Sequence, residues 1–159
     1  MLDDLLERIL AADGDPAAPH VGLGMLLASA HSRSRRAMNA ELRPLGIDVR
    51  GMTMLFALDM YGPSSQRRLI DLTGIDKSTM VRDIDDLESA GFVRRERAPQ
   101  DRRAYSITLT GDGRRALESA RRVGAEVGER LFGRLRPDER AQLVALLRRL
   151  AEPVPGEHS

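Results

Sequence analysis

Apolar residues recur along this chain with two different periods. Leu2, Leu5, Leu6, Ile9 and Leu10 fall three and four apart, which predicts a short amphipathic helix at the N-terminus. The segment ADGDPAAP, residues 12–19, breaks it. A long helix is predicted from about Val21 to Leu42, with Leu23, Leu26, Leu27 and Ala30 on one side and Arg33, Arg35 and Arg36 further along. RPLGID ends that helix. The next runs from about Val49 to Met60, with Met52, Leu55, Phe56 and Tyr61 as its apolar positions. YGPSS stops it and supplies Ser64 or Ser65 as the following N-cap.

The middle of the chain has a tighter rhythm. SQRRLIDLTG reads as a short helix closed by Gly74, and Asp76 is a good N-cap for a second helix, KSTMVRDIDDLESAG. Two short helices joined by a glycine-containing turn form a helix-turn-helix. The period then changes to two. Phe92 to Arg97 and Ala104 to Leu109 read as strands, with Tyr105, Ile107 and Leu109 alternating against Ala104, Ser106 and Thr108. APQDRR, residues 98–103, forms the tip of the hairpin. Thr110 caps a further helix running to about Arg134, with Ala116, Ala120, Val123, Val127 and Leu131 on one face. A last helix opens at RPDER with Pro137 in its first turn. Leu143, Leu146, Leu147 and Leu150 give it one strongly apolar face. The fold class is therefore mainly α with a small β-hairpin. A winged helix-turn-helix over residues 46–110 is flanked by dimerisation helices at 1–45 and 111–152, and residues 153–159 form a tail.

Charge narrows what this arrangement can do. The 25 basic and 24 acidic residues leave a net charge of +1. There is no bulk pull toward nucleic acid, so any such binding has to come from a local basic patch. Aromatic residues make up 3% of the chain and tryptophan is missing, which argues against stacking on single strands. No cysteine is present, which excludes disulfides, thiol nucleophiles and thiol sensing. His20, His31 and His158 lack metal-ligand spacing. The residues show no nucleophile–base pair, metal cluster or phosphate-cradling glycine loop, so neither an enzyme, a metal nor a cofactor is expected. No apolar run approaches about 18 residues, so no membrane helix is expected. The acidic N-terminus is unlike a signal peptide, and a cytoplasmic location follows.

Placing residues 76–90 at helical steps puts Met80, Ile84 and Leu87 together, facing the core. The opposite side carries Ser78, Arg82, Asp85 and Ser89, with Thr79 and Asp86 on one flank. The second helix of a helix-turn-helix enters the major groove by its N-terminal part. Arginine chelates the guanine O6 and N7 acceptors, and serine and threonine bond to base edges or phosphates. Ser78, Thr79 and Arg82 are the candidates. Asp83, Asp85, Asp86 and Glu88 would be repelled by phosphate, so they sit where the helix leaves the groove or pair with arginines. The hairpin adds Arg94, Arg95, Arg97, Arg102 and Arg103, and a narrow minor groove attracts inserted arginine. Asp101 fits beside DNA as a brace for one arginine, through a paired fork. Either Asp101 braces Arg103 while Arg102 projects, or the two exchange roles.

GIDKSTMVRDIDDLESAGFVRRERAPQDRRAYSITLTGDG, residues 74–113, resembles the core of the multiple antibiotic resistance regulator (MarR) family. The resemblance rests on Leu87-Glu88, then Gly91-Phe92-Val93-Arg94-Arg95, then Asp101-Arg102-Arg103, then Leu109-Thr110 with Gly113. The order of the flanking helices fits as well. Asp83 and Asp86 depart from the apolar or basic residues more usual there, and GIDVRGM replaces the more usual Thr-Pro-x-Gln. The resemblance implies a winged-helix homodimer on a pseudopalindromic double-stranded operator. It further implies a repressor that releases DNA on binding a small phenolic or lipophilic molecule. The positions it implies for DNA contact are Ser78, Thr79, Arg82, Asp101, Arg102 and Arg103.

The acidic second half of the recognition helix motivates a different reading, a winged-helix protein-interaction module with little DNA binding. For an effector, His31 and Arg35 lie one turn apart and could meet a carboxylate or phenolate; a solvated helix face is the other account of that pair. Met25, Met38, Met52, Met54 and Met60 either fill the core or line an adaptable pocket. The end helices carry apolar faces outside the winged core. A monomer would expose them as one large patch, so a two-fold dimer is expected, with recognition helices about one DNA turn, roughly 34 Å, apart.

Overall fold

The computed structural model of the chain describes residues 2–11, 16–98 and 101–152. The helices are α1 (Leu2–Leu10), α2 (Ala18–Leu42), α3 (Val49–Tyr61), α4 (Gln66–Thr73), α5 (Lys77–Ser89), α6 (Gly111–Phe132) and α7 (Pro137–Ala151). A short 3-10 turn, Arg43–Leu45, follows α2. The two strands, β1 (Val93–Ala98) and β2 (Asp101–Leu109), lie between α5 and α6. They pair antiparallel, with Val93 opposite Leu109 and Arg95 opposite Ile107, and the register shifts at Arg97/Ala98. Because β2 begins at Asp101, residues 101–103 belong to the strand rather than to the hairpin tip.

The N-caps of α3, α4, α5 and α6 are made by side chains. Asp48 accepts from the Gly51 N–H at 2.9 Å, and Ser65 accepts from the Arg68 N–H at 3.2 Å. Asp76 accepts from the Thr79 N–H at 2.9 Å, and Thr110 from the Gly113 N–H at 3.0 Å. Each takes up a donor that the first helical turn leaves unpaired. Gly74 closes α4 at φ 68°, a left-handed conformation that lets α5 start shortly afterwards.

The core gathers around α3, where Met54 and Leu55 are completely buried. Leu69 of α4, Met80, Ile84 and Leu87 of α5, Val93, Ile107 and Leu109 of the hairpin, and Leu117 and Ala120 of α6 close on it. On α3 the structure differs from the face expected from spacing. Met52 and Phe56 are only partly buried and Tyr61 is exposed, whereas Met54 and Leu58 are buried. The helix is central and is covered on more than one side, so a single amphipathic stripe does not describe it. Of the methionines, Met54 is core, Met38 and Met52 pack at its edge, and Met60 is exposed.

Thr110 and Gly113 fix the exit from the wing. The Thr110 hydroxyl donates to the Gly91 carbonyl at 2.7 Å, and the Thr110 N–H donates to the Phe92 carbonyl at 3.0 Å. A Cβ at Gly113 would run into that same carbonyl, so only glycine lets the first turn of α6 come this close. The end helices are open by contrast. α1 packs on α2 through Leu10, which sits against Gly22. Val21, Leu23, Leu26 and Leu27 of α2 and Leu143, Val144, Leu146, Leu147 and Leu150 of α7 are exposed.

Candidate nucleic-acid interface

The outward face of α5 matches its angular reading. Ser78 and Arg82 are exposed, Thr79 is half-buried, and Met80, Ile84 and Leu87 face inward. Arg82 takes part in no side-chain hydrogen bond or ion pair among the described residues. Ser78 is already engaged: its hydroxyl donates to Asp76 Oδ1 at 2.6 Å, the oxygen that also accepts from the Thr79 N–H. This hydroxyl bond, followed by those from Thr79, holds the Asp76 carboxyl well below the usual aspartate range. Ser78 therefore presents its oxygen lone pairs outward, while its proton serves the cap.

Three of the four acids on α5 face arginines. Asp83 is buried, and its Oδ2 lies 3.0 Å from Arg50 Nε on α3. That contact is an ion pair without hydrogen-bond alignment, since Oδ2 has no hydrogen-bond partner among the described residues. Burial pushes the Asp83 carboxyl up, and the Arg50 charge opposes the shift. Asp85 and Glu88 both engage the guanidinium of Arg95 from β1. Asp86 is exposed and takes part in no ion pair among the described residues.

The hairpin is less uniformly basic toward solvent than its sequence suggests. Arg95 turns back onto α5. Arg94 pairs with Glu96 at 2.8 Å, and Glu96 also accepts from the Thr108 hydroxyl at 3.0 Å. Arg97 is exposed. Asp101, Arg102 and Arg103 follow in β2, and their side chains lie outside the described ones.

Two of these arrangements escape the spacing argument although signals for them exist. Residues 80, 83, 84 and 87 are spaced i, i+3, i+4, i+7, so Asp83 completes the apolar stripe of α5 and its burial is legible there. Arg95 stands two residues after buried Val93 and so shares its face of β1, whereas Arg94 does not.

A cleft of about 780 Å³ opens beside Asp83, between the end of α2, the start of α3 and α5. Arg35, Arg36, Arg43, Arg50, Asp83 and Asp86 are among its lining residues. Arg35 thus reaches a concave surface. His31 is exposed one turn earlier and does not line the cleft. Among the described residues no group of histidines and carboxylates could hold a metal ion, and no helix is long and apolar enough to cross a membrane.

A helix-turn-helix whose second helix exposes its N-terminal polar face, followed at once by a two-stranded wing, defines a winged-helix regulator of transcription. Residues 45–104 match the model of the MarR family. The chain is 28% identical to the HTH-type transcriptional repressor NicR of Pseudomonas putida, over 82% of each chain. A serine-for-cysteine variant of MarR from E. coli, solved with operator DNA, superposes with a TM-score of 0.78 at 27% identity, covering 87% of this chain and 99% of that one. BpsR of Bordetella bronchiseptica, whose DNA binding is regulated by 6-hydroxynicotinic acid, superposes at 0.75 with 28% identity, covering 82% of this chain and 98% of that one. Over residues 45–104, and in the fold as a whole, this chain is similar to the MarR-family winged-helix regulators.

Proposed function

We propose that this chain is a homodimeric, sequence-specific repressor that binds a pseudopalindromic double-stranded operator and is released by a small organic effector. The observation that carries the reading is the state of α5. Arg82 is exposed without an ion pair among the described residues, while Asp83, Asp85 and Glu88 face arginines. The acids that motivate a protein-interaction module are thereby largely matched within the chain, and the helix can approach phosphates with less repulsion. Thr79, Arg82 and the acceptor lone pairs of Ser78 are assigned to the major groove. Asp101, Arg102 and Arg103 are assigned to the flanking minor groove, with Asp101 as the brace. Neither catalysis, a metal nor a cofactor is assigned, and the location is cytoplasmic.

The exposed faces of α7 and the first half of α2 support the dimer, because soluble monomers rarely leave so many neighbouring apolar residues open. The division assigned is 46–110 for DNA and 1–45 with 111–152 for dimerisation; the tail, 153–159, lies outside the described residues. For the effector, a phenolic or lipophilic molecule is assigned, with the Arg35 side of the cleft as its candidate site. The relative regulated by 6-hydroxynicotinic acid supports this class. A gel shift on the DNA upstream of the protein's own gene tests the reading. Arg82→Ala is expected to cost about 1–3 kcal/mol per lost base contact and to relax preference at one base pair per half-site. A folded dimer that shifts no such DNA at low salt contradicts it and favours the interaction module.

A further inference from the structure

The wing is anchored at one cross-strand pair. On β2, Ile107 exchanges backbone hydrogen bonds with Ser64, at 2.8 and 3.1 Å, so the strand is pinned to the segment before α4. Directly opposite on β1 stands Arg95. Opposed residues of an antiparallel pair share a face, so Arg95 lies on the same side as buried Val93, Ile107 and Leu109, where the core ends. Its guanidinium bridges Asp85 and Glu88, one helical turn apart on α5. Its own N–H donates to Glu88 Oε1 at 2.9 Å. Glu88 thus holds both the backbone and the side chain of the same residue. Beyond this pair, Glu96, Arg97 and Tyr105 are exposed toward the tip.

We propose that Arg95 is a positioning residue, not a DNA contact: through Asp85 and Glu88 it sets the angle between the wing and the recognition helix. This rests on the DNA-binding reading above. The arrangement suits the task because one planar guanidinium donates to two carboxylates in fixed directions, which an ammonium cannot reproduce. A wing fixed this way keeps its outer half aimed at the flanking groove while α5 sits in the major groove.

The direct test uses Asp85→Asn/Glu88→Gln, which removes two negative charges beside DNA. If Arg95 were free to serve phosphate, this variant would bind as well as the parent or better. The clamp requires weaker binding, by about five- to fiftyfold, on an operator carrying its flanking duplex. On a duplex trimmed to the bases under the two recognition helices the loss disappears, whereas a general weakening of the fold would lower affinity equally on both. Arg95→Lys is expected to behave like Arg95→Ala, and neither is expected to lower the salt slope by the roughly one unit that a lost phosphate contact brings. Equal or tighter binding of the double variant, equal losses on both duplexes, or a salt slope reduced by about one overturns the proposal. Amide hydrogen exchange of β1 and β2 without DNA provides an arm independent of the functional reading. Faster exchange in the double variant supports the clamp even if the parent binds no duplex, and unchanged exchange overturns it.

Discussion

Two parts of this molecule treat their apolar residues in opposite ways. Around α3, α4 and α5, Met54, Leu55, Leu58, Leu69, Met80 and Leu87 disappear from solvent; Leu69 is 0% exposed. Along α7 they stay outside; Leu150 is 62% exposed, and Leu143, Val144, Leu146 and Leu147 are exposed with it. Leucine content does not explain the contrast, since α7 carries more leucines than α4 and α5 together. What differs is the opposing surface. The hairpin folds back over α3 and α5 and brings Val93, Ile107 and Leu109 to the middle of the core. Among the described residues nothing folds back over α7 to a comparable extent. A finished core and an uncovered apolar face thus look alike in periodicity and separate only when the chain's own long-range contacts are known.

The largest effects come from the finished side. Leu69→Ala is expected to destabilise the chain by about 2–5 kcal/mol, measured by urea unfolding, because a closed site keeps the cavity. Leu146→Ala should behave differently. On a monomer an exposed leucine changes stability by less than about 0.5 kcal/mol. In the proposed dimer the variant lowers the melting temperature more as the protein is diluted, since dissociation is linked to unfolding. A loss at Leu146 that ignores protein concentration breaks the contrast.

The next effects sharpen how the wing joins the core. Gly113→Ala is expected to cost about 1–3 kcal/mol in chemical denaturation, because the Phe92 carbonyl it meets is backbone and cannot swing aside. Thr110→Ala removes a cap and the hydroxyl bond to Gly91, at about 1 kcal/mol, and Thr110→Ser should restore most of it. A Gly113→Ala variant as stable as the parent would mean that α6 does not pack this closely on the wing.

The smallest effect is electrostatic. Burial raises the Asp83 carboxyl above its ordinary value, so the folded chain takes up this proton at a higher pH than the unfolded chain. Its contribution to stability is fully present below the unfolded value and is lost as pH rises through the folded one. Asp83→Asn lacks that dependence. The stability of the parent relative to the variant should therefore improve as pH falls from about 7 toward about 4, in paired thermal melts. A relative stability that stays flat or falls over that range contradicts the burial of Asp83.

Much of this is legible in the sequence. The helices, the hairpin, the Asp76 and Thr110 caps and the outward face of α5 follow from periods and capping residues that act within a few positions. The pairing of Arg50 with Asp83 and of Arg95 with Asp85 and Glu88 depends on how separate elements meet. Composition makes the hairpin arginines equivalent, and only the alternation along β1 distinguishes Arg95 from Arg94. The face of α3 is hidden for a related reason: a central helix is covered on several sides, and no single stripe records that.

The joint claim of a symmetric dimer and a base-reading helix is tested most directly by selecting duplexes from a random-sequence pool with the purified protein. A homodimer that reads DNA through α5 enriches an inverted repeat whose half-sites lie about one helical turn, roughly 10 base pairs, apart. The Arg82→Ala protein then enriches the same repeat with one base pair relaxed in each half-site. A pool that stays random after repeated rounds, or one that converges on a single unrepeated site, contradicts the claim.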